Sequence, residues 1–397
     1  MNVVVVLGFR RGLDEAIARR GMRPFYVVEK VKPELAGRDH VRVCRLEDAQ
    51  EVLRAVRARG IRQVRAVVTT HEEGVFTAAL LRRYFGTPGD HDYARTLPFR
   101  DKFLQKQALP AGVPRARCRY VADTTPFAEL EEELGLPFVV KPANGYGSAR
   151  TSVISSAEEF TAYWQEGVAR SDVQSVAESF VVGDEVHVDG VWQDGDLAWS
   201  SVSRYVEALG SWTRGTTVAS GPVASEVEPE LHRQLEQLTR TTLSALDAPA
   251  TVFHLEAFVT PGQEPTFGEC AIRLVGGMAP EGLELTYGMN LYDATLSLAL
   301  GERPELPDPD RTPERYFGWI LLRSFPGVHL GEDDFRAAFD LQEISFDPAG
   351  RVGAYGRRGY AIVGHSDSRQ TLRLIKDIIE FSRTGVRPVA RVGGSAD

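Results

Sequence analysis

Residues 252–277 read VFHLEAFVTPGQEPTFGECAIRLVGG, and this stretch decides how the rest of the chain is interpreted. It parses as two extended segments, Val252–Val259 and Thr266–Leu274, joined by a turn containing Pro261 and Gly262. Strand side chains alternate between faces, so His254, Glu256 and Phe258 share one face of the first segment. The same alternation predicts Phe267, Glu269, Ala271 and Arg273 together on one face of the second. Two carboxylates and a guanidinium on one face of a hairpin form a plausible seat for Mg²⁺ and a phosphate chain, because Mg²⁺ takes one or two carboxylates plus nucleotide phosphates. A surface hairpin with a cross-strand Glu–Arg pair remains the alternative on these residues alone.

Composition sets the outer limits. The 397 residues are 43% hydrophobic and 25% charged, ordinary for a globular chain with room for two to four domains. A net charge of −9 argues against nucleic acid or an anionic membrane as a general partner. No apolar run reaches the length of a membrane span, and the expected location is cytoplasmic. The three cysteines, Cys44, Cys118 and Cys270, are far apart and form neither a disulfide frame nor a zinc motif. Only six lysines (30, 32, 102, 106, 141 and 376) occur among 46 basic residues. Each lysine is therefore worth locating.

Residues 1–97 alternate strand and helix: strands at Asn2–Leu7, Pro24–Glu29 and Ile61–Thr70, helices at Gly12–Arg20, Leu46–Arg59 and Gly74–Phe85. That order predicts a small parallel sheet covered by helices. The turn Gly8-Phe-Arg-Arg-Gly12 lacks a full dinucleotide fingerprint, and no GxxxxGK[ST] occurs in the chain, so a nucleotide site must be built by other means. Asp101–Leu109 reads as a helix with Lys102 and Lys106 one turn apart on one side. Phe138–Lys141 is a strand, followed by the small-residue loop Pro142–Ser148. Gly145 and Gly147 would let that loop approach a phosphate closely, with Lys141 in reach, although a plain glycine turn fits as well. Glu178 falls inside the apolar strand Val176–Val182, an expensive position for a carboxylate without a partner. Glu185 opens the next strand.

Farther on, Arg204–Gly221 is irregular and contains Trp212 and Arg214, and a helix with a leucine stripe (Leu231, Leu235, Leu238, Leu246) follows. Ala279–Gly301 reads as loop and helix, and Pro304–Pro313 as a linker. The remainder predicts strands at Tyr316–Arg323, Glu343–Phe346, Arg351–Arg357 and Tyr360–Gly364. A final helix, Ser368–Arg383, is capped by Asp367, with Gln370 placed for a capping box.

Taken together, DK at 101–102, FVVKP at 138–142, the glycine loop at 144–148, E…GDE at 178–185, HLE at 254–256 and E-x-A-x-R…GG at 269–277 resemble the ATP-grasp superfamily, within it the carboxylate–amine ligases such as the L-amino acid ligases. The resemblance spans roughly residues 60–390. It implies a mixed α/β chain with a Rossmann-like N-terminal domain (1–97), an ATP-grasp domain (98–310, with a lid at about 111–183) and a small C-terminal closing domain (311–397). It further implies ATP and Mg²⁺, with Mn²⁺ as a substitute, and an acyl-phosphate route to an amide or peptide bond. Lys102 and Lys141 would contact phosphates, Glu178 and the backbone of Phe180 and Val181 the adenine, and Glu185 the ribose. Phe258 and Phe267 would pack near the base, Glu256 and Glu269 would hold metal, Arg273 would face the transferred phosphoryl group, and the loop with Gly147 and Ser148 would close over the triphosphate. Arg204, Trp212, Arg214 and His254 are the expected substrate contacts. The partners would be a small carboxylic acid and an amine, with a homodimer compatible. One departure stands out: Ala271 replaces the family's usual asparagine, which leaves the number of metal ions open. A biotin-carboxylase-like enzyme and a non-catalytic nucleotide sensor are the two rival readings.

Overall fold

The computed structural model describes residues 2–165, 174–208, 216–308, 311–350, 352–353 and 356–387. Its internal contacts define two compact units. One comprises Met1–Val202, Pro229–Val275 and Asn290–Pro307, the other Ser203–Glu228, Gly276–Met289 and Asp308–Asp397.

The first unit opens with β1 (Val3–Leu7), β2 (Arg23–Val28), β3 (His40–Arg42) and β4 (Ala66–Thr69), a parallel sheet in the order β3-β2-β1-β4. Every residue of β1 is buried, as an unbroken apolar run demands of a parallel strand covered on both faces. The edge strand β3 is too short and polar to have been expected, and β4 is shorter than the predicted Ile61–Thr70. Helices Ala49–Ala58 and Val75–Phe85 supply Val52, Val56, Ala78 and Leu81 to the core of this sheet. Gly86 ends the second helix in the left-handed conformation, where glycine carries no Cβ penalty.

A second, antiparallel sheet contains β5 (Cys118–Val121), β6 (Phe138–Pro142), β7 (Ser152–Ile154) and β8 (Ser175–Ser179) in the order β5-β8-β6-β7. Helices Phe127–Leu134 and Ala157–Gln165 cover it, closing a separate core of Leu130, Leu134, Phe138, Val140, Phe160 and Tyr163. The unit is completed by β9 (Asp184–Gln193), β10 (Asp196–Tyr205), β12 (Thr251–Val259) and β13 (Thr266–Ala271), ordered β13-β12-β9-β10. The hairpin read from the sequence is thus present, its second strand ending at Ala271 rather than Leu274.

In the second unit, Ser203–Tyr205 of β10 pair with β11 (Ala219–Pro222), followed by β14 (Tyr316–Ile320), β16 (Gly359–His365) and β15 (Glu343–Phe346). The helix Ser368–Thr384 packs Ile375, Ile378, Ile379 and Phe381 into this unit's core. Asp367 caps it as expected, but the Asp367 backbone N–H is donated to His365 Nδ1 at 3.0 Å, the bond a capping-box glutamine would have made. The described part of the expected strand Arg351–Arg357 carries no strand. Ala279–Gly301 holds two helices, Ala279–Tyr287 and Leu291–Leu300, separated at Gly288. Among the described residues no helix is long and apolar enough to cross a membrane.

Close packing at the centre of the first unit yields a test. Gly190 of β9 lies across from Phe253 of β12, and a Cβ there would run into the Trp199 carbonyl and stand 2.8 Å from the Phe253 ring. Gly190→Ala is expected to lower stability by about 1–3 kcal/mol, measured by urea denaturation with the slope unchanged.

Candidate active site

Strands β9 and β12 carry the same alternation, Glu-Val-His-Val-Asp at 185–189 and His-Leu-Glu-Ala-Phe at 254–258, polar on one side and apolar on the other. Their register sets Phe258 opposite Glu185, Glu256 opposite His187 and His254 opposite Asp189. On the other side of β12, β13 sets Glu269 opposite Glu256 and Ala271 opposite His254. Directly opposed residues of an antiparallel ladder share a face. The outcome is a set of polar rungs in which two acids, Glu256 and Glu269, face each other across neighbouring strands.

The register of the hairpin then shifts between Glu256 and Ala257. Gly268 is the extra residue, and a Cβ there would lie 2.9 Å from the Glu256 carbonyl, which explains the glycine. This bulge overturns one expectation from alternation. Phe267 comes opposite Ala257, on the reverse face instead of beside Phe258, and is fully buried.

Three of the six lysines converge here. The helix Lys102–Ala108 starts at Asp101, whose side chain accepts the N–H groups of Phe103 and Leu104. Gln105 docks this helix on β13, because its amide exchanges hydrogen bonds with the Cys270 backbone at 2.6 and 2.9 Å. Spacing by one turn then aims both lysines the same way. Lys102 Nζ sits 3.1 Å from Glu269 and donates to the Gly145 carbonyl at 2.6 Å. Lys106 Nζ sits 2.9 Å from Glu178 Oε1 and donates to the Gly268 carbonyl at 2.8 Å. Lys141, at the end of β6, takes the other Glu178 oxygen at 2.9 Å.

The partner that Glu178 required is therefore a pair of lysines. Burial alone would raise its pKa, yet the two ammonium groups outweigh burial and hold the carboxyl at about 2. Glu269 is likewise pushed up by burial and pulled below the usual range by Lys102 and Lys141. Both acids stay ionised only because cations accompany them into the interior.

Arg273 stands just past the end of β13. Its Nε and Nη2 donate to Glu72 Oε2 at 2.9 and 2.7 Å. The other Glu72 oxygen is 2.9 Å from Arg100 Nη1, and Arg100 Nη2 reaches Glu47 at 3.1 Å and the Asn144 carbonyl at 2.7 Å. Glu72, buried, is raised by burial but lowered overall by Arg273 and Arg100. The glycine loop is thereby held through two carbonyls, Asn144 by Arg100 and Gly145 by Lys102. Gly147 and Ser148 both have positive φ, 58° and 51°.

On the deepest rung, Asp189 is fully buried and accepts from His187 Nδ1 at 2.6 Å and His254 Nδ1 at 2.8 Å. His254 Nε2 lies 3.2 Å from Glu256 Oε1. Burial disfavours the imidazolium, but Asp189 and Glu256 more than offset it and hold His254 near a pKa of about 9.

The structure therefore gathers Lys102, Lys141, Glu178, Glu185, His254, Glu256, Phe258 and Glu269 around the polar rungs, with Arg273 tied in through Glu72. Phe180 and Val181 follow the end of β8, and Phe180 is exposed. Arg204 belongs to the second unit, where both terminal nitrogens fork onto Glu228 at 2.9 Å each. Trp212 and Arg214 lie outside the described residues. The sequence reading assigned no role to Lys106, Glu72, Arg100, His187 or Asp189. Lysine scarcity pointed to the first, and the alternation of β9 to the last two. Nothing local marked Glu72 or Arg100.

No family model matches the chain. The L-arginine-specific L-amino acid ligase of Bacillus subtilis is 28% identical over 246 residues, covering 60% of this chain and 59% of that protein. The chain thus aligns with about three-fifths of the length of this curated relative. Among solved structures, an L-amino acid ligase from Bacillus licheniformis superposes with a TM-score of 0.76 at 16% identity, covering 96% of this chain and 97% of the other. A carboxyaminoimidazole ribonucleotide synthase from Aspergillus clavatus, complexed with ATP, gives 0.76 at 17% identity, with 96% and 99% covered.

The buried charges generate a second test. Glu178→Gln would leave Lys106 and Lys141 without their counter-ion and is expected to destabilise the chain by about 3–5 kcal/mol, read by chemical denaturation at pH 7. The folded pKa of Glu178 lies below that of the unfolded chain, so its contribution is complete above about pH 4.5 and is lost as pH falls toward 2. Stability measured through that window should fall more steeply in the native chain than in the variant.

Proposed function

We propose that this chain, which has the ATP-grasp fold of these relatives, is an ATP-dependent carboxylate–amine ligase that forms an amide or peptide bond through an acyl phosphate and releases ADP and phosphate. The observation that carries this reading is the meeting of Glu256 and Glu269 in register beside Lys102, with Lys141 one glutamate away. Two carboxylates directly opposed are mutually repulsive, and a divalent cation relieves that repulsion. The donor set is all oxygen, which suits Mg²⁺. Glu256 and Glu269 would hold it, and bound there it would neutralise charge on the transferring phosphoryl group.

The chain's own residues supply positioning and countercharge. A carboxylate is a poor electrophile because it is negative and its leaving group would be oxide. Transfer of the terminal phosphoryl group of ATP to its oxygen gives an acyl phosphate, and an amine then attacks the carbonyl carbon as phosphate departs. Lys102 and Lys141 exchange their carboxylate partners for phosphate oxygens, Arg273 faces the transferred group from its seat on Glu72, and the loop 144–148 excludes water above it. Glu178 and the segment Phe180–Val181 are assigned to the adenine edge, with Glu185, across from Phe258, assigned to the ribose. Residues 98–310 are the nucleotide-binding domain in this assignment, with 1–97 and 311–397 flanking it. Ala271 stands opposite His254 and offers no donor, and a water would fill any coordination position that an amide there would have supplied.

Incubation with ATP, Mg²⁺, hydroxylamine and a panel of carboxylic acids is expected to yield hydroxamate and ADP together. AMP with pyrophosphate would replace this mechanism with adenylation, and nucleotide binding with no ADP for any acid would make the chain a sensor. Glu269→Gln and Arg273→Ala should each lower turnover about 100–1,000-fold while circular dichroism stays native. Turnover within a factor of three of the native rate in both would remove the site assignment.

A further inference from the structure

We propose that Asp189 and His254 are positioning residues that fix the orientation of Glu256 for a divalent cation, an inference that rests on the metal-site reading above. The side chains form a directed chain across β9 and β12. Asp189 is fully buried, and His254 is 5% exposed. The 2.8 Å bond from His254 Nδ1 to Asp189 Oδ1 fixes the plane of the imidazole, and Nε2 then meets Glu256 Oε1 at 3.2 Å. His187 occupies the other Asp189 oxygen at 2.6 Å, so the carboxylate that orients His254 is itself held from both sides.

In the buried cluster of His187, Asp189 and His254 the hydrogen bonds run from both rings to the acid. Each imidazole uses Nδ1, the nitrogen nearest the carboxylate, for a bond of ordinary hydrogen-bond length, and each takes a different carboxylate oxygen. What the chain delivers is His254 Nε2, held 3.2 Å from Glu256 Oε1 by the Asp189 bond behind it. A ligating carboxylate gripped in this way keeps its plane when the cation arrives, whereas an unsupported one has to be ordered at that moment. The register gives the grip added weight. Glu256 faces His187 on one side and Glu269 on the other, so a small rotation carries it toward a like charge. Ala271, opposite His254, has no polar atom in its side chain with which to share the task.

The probe is Mn²⁺, titrated with ADP present and followed by electron paramagnetic resonance, in the native chain and in Asp189→Asn and His254→Gln. Phosphorus coupling from ADP places the cation at the nucleotide. The dissociation constant for Mn²⁺ is expected to rise about 10–100-fold in both variants, with metal-free ADP affinity and circular dichroism unchanged. The Mg²⁺ concentration giving half-maximal turnover should rise in parallel, and much of the maximal rate should return at saturating Mg²⁺. Native Mn²⁺ affinity in either folded variant overturns the proposal. If Asp189→Asn does not fold, His254→Gln decides alone. A native chain that binds Mn²⁺ without phosphorus coupling overturns the metal-site reading beneath it, an outcome separate from the first.

Discussion

Ionised carboxylates in a protein interior survive only with cations alongside them, and this constraint organises the first unit. Glu178, Glu269 and Glu72 each lie within or beside the polar rungs, and each is matched by cations that arrive from a different segment. Lys106 and Lys102 come from one short helix, Lys141 from the end of β6, and Arg100 and Arg273 from the flanks of that helix and of β13. Because the partners are distant in sequence, the charges can be satisfied only when the strands and the helix are all in place. The electrostatics therefore check the assembly of the fold as well as equipping a site.

Under the proposed function the same pairs suit ligand exchange. An ammonium group held against a buried carboxylate is already desolvated and aimed, so a phosphate oxygen that displaces the carboxylate meets a cation whose ordering has been done beforehand. The Gly145 carbonyl on Lys102 and the Asn144 carbonyl on Arg100 extend this to the glycine loop. The loop is anchored by these two carbonyls. Two left-handed residues in succession, Gly147 and Ser148, complete its turn.

How far the sequence revealed this depends on the range of each interaction. The hairpin, the alternation of the polar face along β12 and the Asp367 cap are local, and all were legible. The cost of burying Glu178 was legible too, since an acid amid valine and alanine needs a counter-ion wherever that ion comes from. The identity of the counter-ion was half visible: lysine rarity flagged 102, 106 and 141, yet only the fold brings 106 and 141 to one carboxylate. The bulge at Gly268 was hidden, because period-two reasoning has no means of seeing an extra residue, and Phe267 was assigned to the wrong face as a result. Glu72 and Arg100 were beyond reach. Their meaning lies in contacts 201 and 44 residues away, and nothing in their neighbours distinguishes them from surface charges.

The seat of Arg273 on Glu72 also bears on how such chains can be recombined. Glu72 follows β4 in the N-terminal segment, while the two guanidinium groups it neutralises belong to the segments after it. A chimera that draws its first 97 residues from another source would have to bring an acid to the same spot beyond its fourth strand. Without one, Arg273 would lose both of its side-chain carboxylate bonds and Arg100 one of its two acidic partners, and the graft would lose stability. Modular exchange of this N-terminal portion thus depends in part on a side chain that a comparison of strand and helix order would overlook.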